Sequence, residues 1–215
     1  MTASTRDKLL RATQEALVEG GIAHLSARTV AARAEVNQAL VFYHFGTVSE
    51  LVEAAARALA DETVDHYRER FAGVGTLTGL LGLGEEVHAR ERTTGNVAVM
   101  AQLMAGAQQD EVLARAARYA MDLWREQVEQ VVRRVLEPSP LADVVDPAGL
   151  ARAISAAFIG LELYDGVDPD GAAAALAALE RLGVLLEVVD DLGPVARRAV
   201  RARLRRGGRG RPAAR

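Results

Sequence analysis

The chain has no cysteine among its 215 residues. That absence excludes disulfides, thiolate nucleophiles and cysteine-bound zinc, and makes a reducing cytoplasm the expected compartment. No apolar run approaches the roughly 20 residues of a membrane-spanning helix. No apolar segment follows a basic stretch near Met1 either, so neither a membrane partner nor a secretory signal is expected. Strand-like alternation is missing throughout. Catalytic patterns are missing too: there is no HExxH, no phosphate-cradling glycine loop and no Ser-His-Asp set. The four histidines, His24, His44, His66 and His88, are scattered. Glu85-Glu86-Val87-His88 holds one Glu-x-x-His step of the kind di-iron bundles use twice, and with no second copy it reads as a solvated helix face. Gly79, Gly82 and Gly84 follow no strand, so they loosen a helix rather than cradle a nucleotide. No catalytic residue, metal site or cofactor is expected, and the chain does not read as an enzyme.

Aromatic residues are few, at 4%, yet half the residues are hydrophobic, enough for a substantial core. The net charge of −3 hides an uneven distribution: nine of the 26 basic residues fall within 197–215, where there is no acid. The remainder then holds 17 basic groups against 29 acidic ones, a body near −12. Such a body tolerates contact with nucleic acid only through a small, locally balanced face. The arginine tail admits three readings: helix surface with a disordered end, an auxiliary nonspecific DNA contact, or a tether to acidic partners. The first is preferred here.

What fills the chain is helical spacing. Leu9, Leu10, Ala12, Ala16 and Leu17 mark one face of a helix over 5–19 that stops at Gly20-Gly21. Ser26 caps a second helix over 27–34, and Asn37 a third over 38–44 closed by Gly46. Thr47-Val48-Ser49-Glu50 reads as a capping box, Thr47 hydroxyl to Glu50 amide and Glu50 carboxylate to Thr47 amide, opening a long helix to about Phe71. Further helices are expected over 77–92, 95–107, 110–136, 147–165 and 170–190, with a last one from Pro194. The fold class is all-α: an N-terminal three-helix helix-turn-helix domain followed by a larger helical ligand-binding and dimerisation domain. The expected divisions are 1–46, 47–206 and a disordered tail at 207–215.

Residues 26–51 are the most informative stretch. Two helices this short bury little surface alone, and docking one of them in the DNA major groove is the commonest reason to display them. Val30, Ala31, Ala34, Val36, Val41 and Phe45 are spaced to form their shared core, with the small alanines allowing close approach. Arg28, Thr29, Gln38, Ala39, Leu40, Tyr43 and His44 are left facing outward, a mixture suited to base edges and phosphates. Gln38 stands at the start of the reading helix, beside Asn37. The bland alternative is a helix-turn-helix that never touches DNA.

Residues 5–51 resemble the N-terminal domain of the tetracycline-repressor (TetR) family of bacterial transcription regulators. The likeness rests on the initial helix, the Ala31/Ala34/Val36 spacing, the Phe42-Tyr43-His44-Phe45-Gly46 ending and Leu51. It implies base contacts from Arg28 and Gln38, and further groove or phosphate contacts from Thr29, Leu40, Tyr43 and His44; Asn37 and Ala39 complete the expected DNA-binding set. Three positions depart from the family pattern. Glu35 occupies a turn position usually given to glycine, where a left-handed backbone would cost it about 1 kcal/mol or more. Phe42 lacks the usual tyrosine hydroxyl, and Val48 stands where a lysine is common.

The resemblance also implies a homodimer and an effector cavity in the helical body. Ala153–Gly160 and Ala172–Leu179 are small and apolar on more than one face, which a second copy of the chain or internal packing would bury. Candidate effector-lining residues are Tyr67, Phe71, Met100, Gln102, Met104, Tyr119, Leu123, Trp124, Phe158 and Glu162; simple core packing is the alternative for each. Their mostly apolar character favours a hydrophobic or amphipathic small molecule. The expected function is a ligand-responsive repressor that binds a palindromic double-stranded DNA operator as a homodimer. A helical module that binds a small molecule or protein and has lost sequence-specific DNA binding is the alternative.

Overall fold

A computed structural model describes residues 4–139, 142 and 145–190. The expected helix from Pro194 and the arginine tail lie outside the described residues. Every described regular element is helical: α1 (Thr5–Gly20), a 3-10 turn (Ile22–His24), α2 (Ala27–Arg33), α3 (Ala39–Phe45), α4 (Val48–Gly73), α5 (Leu77–Thr94), α6 (Asn96–Gly106), α7 (Glu111–Leu136), α8 (Pro147–Asp165) and α9 (Pro169–Asp190). The 3-10 turn is the one element the spacing does not announce, because three residues carry no period.

Local chemistry explains where these helices begin and end. At α1 the Ser4 hydroxyl accepts the Asp7 amide at 3.2 Å, while the Asp7 carboxylate accepts the Ser4 hydroxyl at 2.7 Å and the Ser4 amide at 3.2 Å. These bonds, the hydroxyl first, hold the Asp7 carboxyl below its ordinary range. The helix ends where the Gly21 amide donates to the Leu17 carbonyl at 3.0 Å. Gly21 has φ 73, which favours glycine, and a Cβ there would displace the end of the Gln102 side chain. At α8, Pro147 takes the first helical position, and the Asp146 carboxylate accepts the Ala148 and Gly149 amides at 3.1 and 2.9 Å.

The chain divides into two compact units, one of residues up to Tyr67 with Val87–Trp124, the other of Arg68–Glu86 with residues from Arg125 onward. The stretch 1–46, expected as the reading domain, falls within the first. Two apolar clusters of that unit bear on the head. The head core gathers Leu9, Ala12, Ala27, Val30, Ala31, Ala34, Val41 and Leu51. A second core joins Leu17 and the α4 residues Val52, Ala55 and Ala56 to Val99 and Leu103 of α6 and Leu113, Ala116 and Ala117 of α7. Leu10, Leu25 and Val48 pack against both.

In the second unit α8 and α9 pack on one another. The Phe158 ring lies against Gly84. The Arg134 guanidinium donates to the Phe71 and Val74 carbonyls at 2.7 and 3.0 Å, satisfying the end of α4.

Candidate nucleic-acid interface

The reading head is built from local bonds upward. The Ser26 hydroxyl accepts the Thr29 amide at 3.1 Å and the Thr29 hydroxyl accepts the Ser26 amide at 2.9 Å, a reciprocal cap that starts α2. The Thr29 hydroxyl also lies 3.0 Å from the Ser26 carbonyl. A side chain expected to contact DNA is therefore already committed to its own helix.

The turn after α2 explains how the two short helices meet. Glu35 adopts φ 55, the only positive φ among described residues other than glycine. The Val36 amide reaches the Ala31 carbonyl at 3.0 Å and the Glu35 amide the Ala32 carbonyl at 3.3 Å. This is the paired bonding of a Schellman ending, which needs a left-handed residue at the position Glu35 holds. Val36 then packs on the head core. The strained glutamate that the sequence suggests is what the backbone contains.

The Asn37 carboxamide oxygen accepts the Ala39 amide at 2.8 Å, so Asn37 caps the reading helix as expected, although α3 begins at Ala39 with Gln38 as the residue before it. Gly46, at φ 80, closes α3. The following cap differs in one bond from the expected box. The Thr47 hydroxyl accepts the Glu50 amide at 3.1 Å, but the Glu50 carboxylate meets that same hydroxyl at 2.9 Å instead of the Thr47 amide. One hydroxyl thereby serves as both acceptor and donor.

On α3, Val41 is fully buried, while Gln38 and Ala39 are exposed, Phe42 is 49% exposed and Tyr43 81% exposed. His44 is half-buried between the Tyr43 ring at 5.0 Å and the Phe45 ring at 6.4 Å. Leu40 departs from the outward position expected of it: it is half-buried and packs against the head core, because an apolar side chain beside Val41 gains more from that contact than from water. Arg28 is exposed on α2 with no carboxylate within ion-pair distance among the described residues. Arg33, on the same helix, is bonded through both guanidinium ends to Glu19, at 2.9 Å for one, and is 3.5 Å from Glu15. Its bond to Glu19 holds that carboxyl below its ordinary range.

Two residues stand at this surface that sequence reasoning gives no role. Phe42, noted for its missing hydroxyl, exposes an apolar ring beside Tyr43. Arg6, in the first turn of α1, lies 5.3 Å over the Phe45 ring. Only the folded chain brings it to the end of α3, so no local pattern could have marked it.

The expected effector residues fall in both units. In the first, the Tyr67 hydroxyl donates to the buried Glu91 carboxylate at 2.9 Å, and the Tyr67 and Trp124 rings lie 5.8 Å apart. Burial pushes the Tyr67 hydroxyl above its ordinary value. Glu91 also accepts from Thr94 at 2.9 Å and Asn96 at 2.5 Å. Tyr119 donates to Asp61 at 2.7 Å beneath the Arg57 guanidinium. The Gln102 side-chain oxygen accepts the Ile22 amide at 2.7 Å. Met104 packs on the second core, and Met100 and Leu123 are half-buried. Phe71, Phe158 and Glu162 belong to the second unit, with Phe71 and Glu162 buried. A cavity of about 410 Å³ in the first unit is lined instead by Gln14, Glu15, Val18, Glu19, Leu59, Glu62, Thr63, Arg90, Thr94 and Asn96, none of them among the expected ten.

Among the described residues no helix is long and apolar enough to cross a membrane. Residues 9–55 match the family model for bacterial regulatory proteins of the tetR family. No curated protein sequence matches the chain. Solved structures do. A TetR-family transcriptional regulator from a Rhodococcus species is 23% identical with a TM-score of 0.67, the match covering 83% of this chain and 98% of that one. A protein assigned as a transcriptional regulator in Streptomyces coelicolor A3(2) is 22% identical, with TM-score 0.67 and coverage of 84% and 99%. Another regulator, from Rhodococcus sp. RHA1, is 22% identical, with TM-score 0.67 and coverage of 88% and 100%. At these identities the likeness speaks for the fold, while the family match speaks for the head. Residues 9–55 thus match the family model of the tetR bacterial regulatory proteins, and the chain shares the fold of these solved structures.

Proposed function

We propose that the protein is a cytoplasmic repressor that binds a palindromic operator as a homodimer and is released by a hydrophobic or amphipathic small molecule. The observation that carries this reading is the uncovered face of the head. Gln38 just before α3, Ala39, Phe42 and Tyr43 on it and Arg28 of α2 stand in solvent on a well-packed core, and no carboxylate lies within ion-pair distance of Arg28 among the described residues. A seven-residue helix reads only a few base pairs, so two copies related by a dyad are needed for specificity.

The second copy has a suitable surface. Ala153, Ala156, Ala157, Gly160, Leu163 and Tyr164 recur along α8 at helical spacing and are all exposed, and a Cβ added to Gly160 would meet nothing within 4 Å. A stripe of that composition is what a helix-on-helix interface requires. In the first unit, the adjoining Tyr67 and Trp124 rings and the half-buried Met100 supply adaptable apolar contact for an effector. Release follows if the effector prefers an arrangement of the dimer in which the two heads no longer match the operator, by its differential affinity for the two states.

Selection from a random duplex library tests the reading. Two half-sites in inverted repeat, about one helical turn apart and occupied by one dimer, are the expected outcome. A selected pool no different from the input would overturn it. Gly160→Glu should leave a folded monomer in sedimentation experiments; an unchanged dimer would remove α8 from the interface.

A further inference from the structure

We propose that Arg6 is a phosphate-gripping residue of the reading head, held in place by the Phe45 ring at the end of the reading helix; this rests on the DNA-binding reading above. The guanidinium carbon lies 5.3 Å from the centroid of Phe45, the last residue of α3. A planar guanidinium over a ring face is oriented without being neutralised, which leaves N–H groups free for the oxygens of an anion. Arg6 is exposed and has no carboxylate within ion-pair distance among the described residues. The nearest acid in sequence, Asp7, has its carboxylate bonded to the Ser4 hydroxyl and amide and meets Arg6 only as a lesser through-space charge.

The size of the reading helix gives the position its meaning. Seven residues of α-helix span about 10 Å, close to the roughly 12 Å width of the major groove. With the start of α3 turned to base edges, its Phe45 end is the one that lies toward the groove wall, where the phosphates run. At the Phe45 end Phe42 and Val48 carry no donor and the Thr47 hydroxyl is bonded to Glu50, which leaves Tyr43 and His44 as the other candidate partners for phosphate. The carbonyls that end α3 favour a cation there. Arg6 is the charged donor that the fold delivers to this end.

Salt titration of binding to the selected operator tests the assignment. Arg6→Gln should make the slope of log K against log salt shallower by about 0.9, the loss of one phosphate contact, and weaken operator and mismatched DNA in equal proportion. Arg6→Lys should keep the slope, since the charge remains. Arg11→Gln, an equal charge change on another face of α1, should bind as wild type. A wild-type slope in Arg6→Gln, an equal loss in Arg11→Gln, or a loss in Arg6→Lys as large as in Arg6→Gln would each overturn the role, the last because it would mark a structural effect. Wild-type protein that selects no sequence would instead overturn the DNA-binding reading, and this role with it.

Discussion

The cations of the reading head and those of the helices behind it keep opposite company. Arg6 and Arg28 are exposed with no carboxylate within ion-pair distance among the described residues. Along α4 to α7 the same side chain is almost always answered: Arg57 by Glu53 at 3.0 Å, Arg115 by Glu53 at 2.8 Å, Arg90 by Glu91 at 3.2 Å, Arg125 by Glu129 at 2.7 Å. Arg33 is the exception within the head: bound to Glu19, it ties α2 back to α1. Net charge averages over these two populations and so says little about partners. The informative quantity is charge that the fold declines to compensate.

The comparison breaks most visibly at Arg28. Arg28→Ala should weaken operator binding by about 1–3 kcal/mol and relax preference at one base position, read by fluorescence anisotropy on a panel of single-base variants. Arg115→Ala, which removes an already answered cation, should leave operator affinity at the wild-type value in the same assay; an equal loss there would erase the distinction. Next in size is the cap that presents Arg28. Ser26→Ala should lower stability by about 1 kcal/mol in urea melts, with the slope unchanged.

Glu35→Gly sharpens the contrast from the other side. It should raise stability by about 0.5–1 kcal/mol, because glycine adopts φ 55 without strain, part of the gain being returned as unfolded-chain entropy. A stability below wild type would mean that the glutamate side chain does something the backbone argument misses. The smallest effect is the response to acid. Asp7 and Glu19 have carboxyls held below their ordinary range by Ser4 and Arg33 respectively. Their stabilisation is complete above the unfolded-state values near pH 4 and is lost as pH falls through the lower folded values. Asp7→Asn and Glu19→Gln should therefore flatten the acid limb of the stability curve while changing little at neutrality.

Much of this fold is legible in the chain because helices announce themselves by period and by punctuation. Gly20-Gly21, Gly46 and the caps at Ser26, Asn37 and Thr47 bracket elements whose observed limits fall within two or three residues of the expected ones. The strained turn at Glu35 is legible only through the resemblance, which puts glycine at that position; the bonds closing α2 supply the physical reason, a left-handed residue. What is not legible depends on contacts across the fold. Leu40 looks outward by rotation about α3 but is drawn to the head core. Thr29 looks available but is spent on Ser26. Arg6 and Gln102 find partners 39 and 80 positions away, at Phe45 and Ile22, and no spacing rule reaches that far.

Leu10, Leu25 and Val48 each touch the head core and the second core at once. A head attached in that way has no loose joint behind it. Any reorientation must slide three shared side chains between two packed environments, and close packing allows few intermediate stops. Motion of the head relative to α6 and α7 is then a choice between discrete seatings, and a volume change at Leu10, Leu25 or Val48 would shift that choice without touching DNA or ligand.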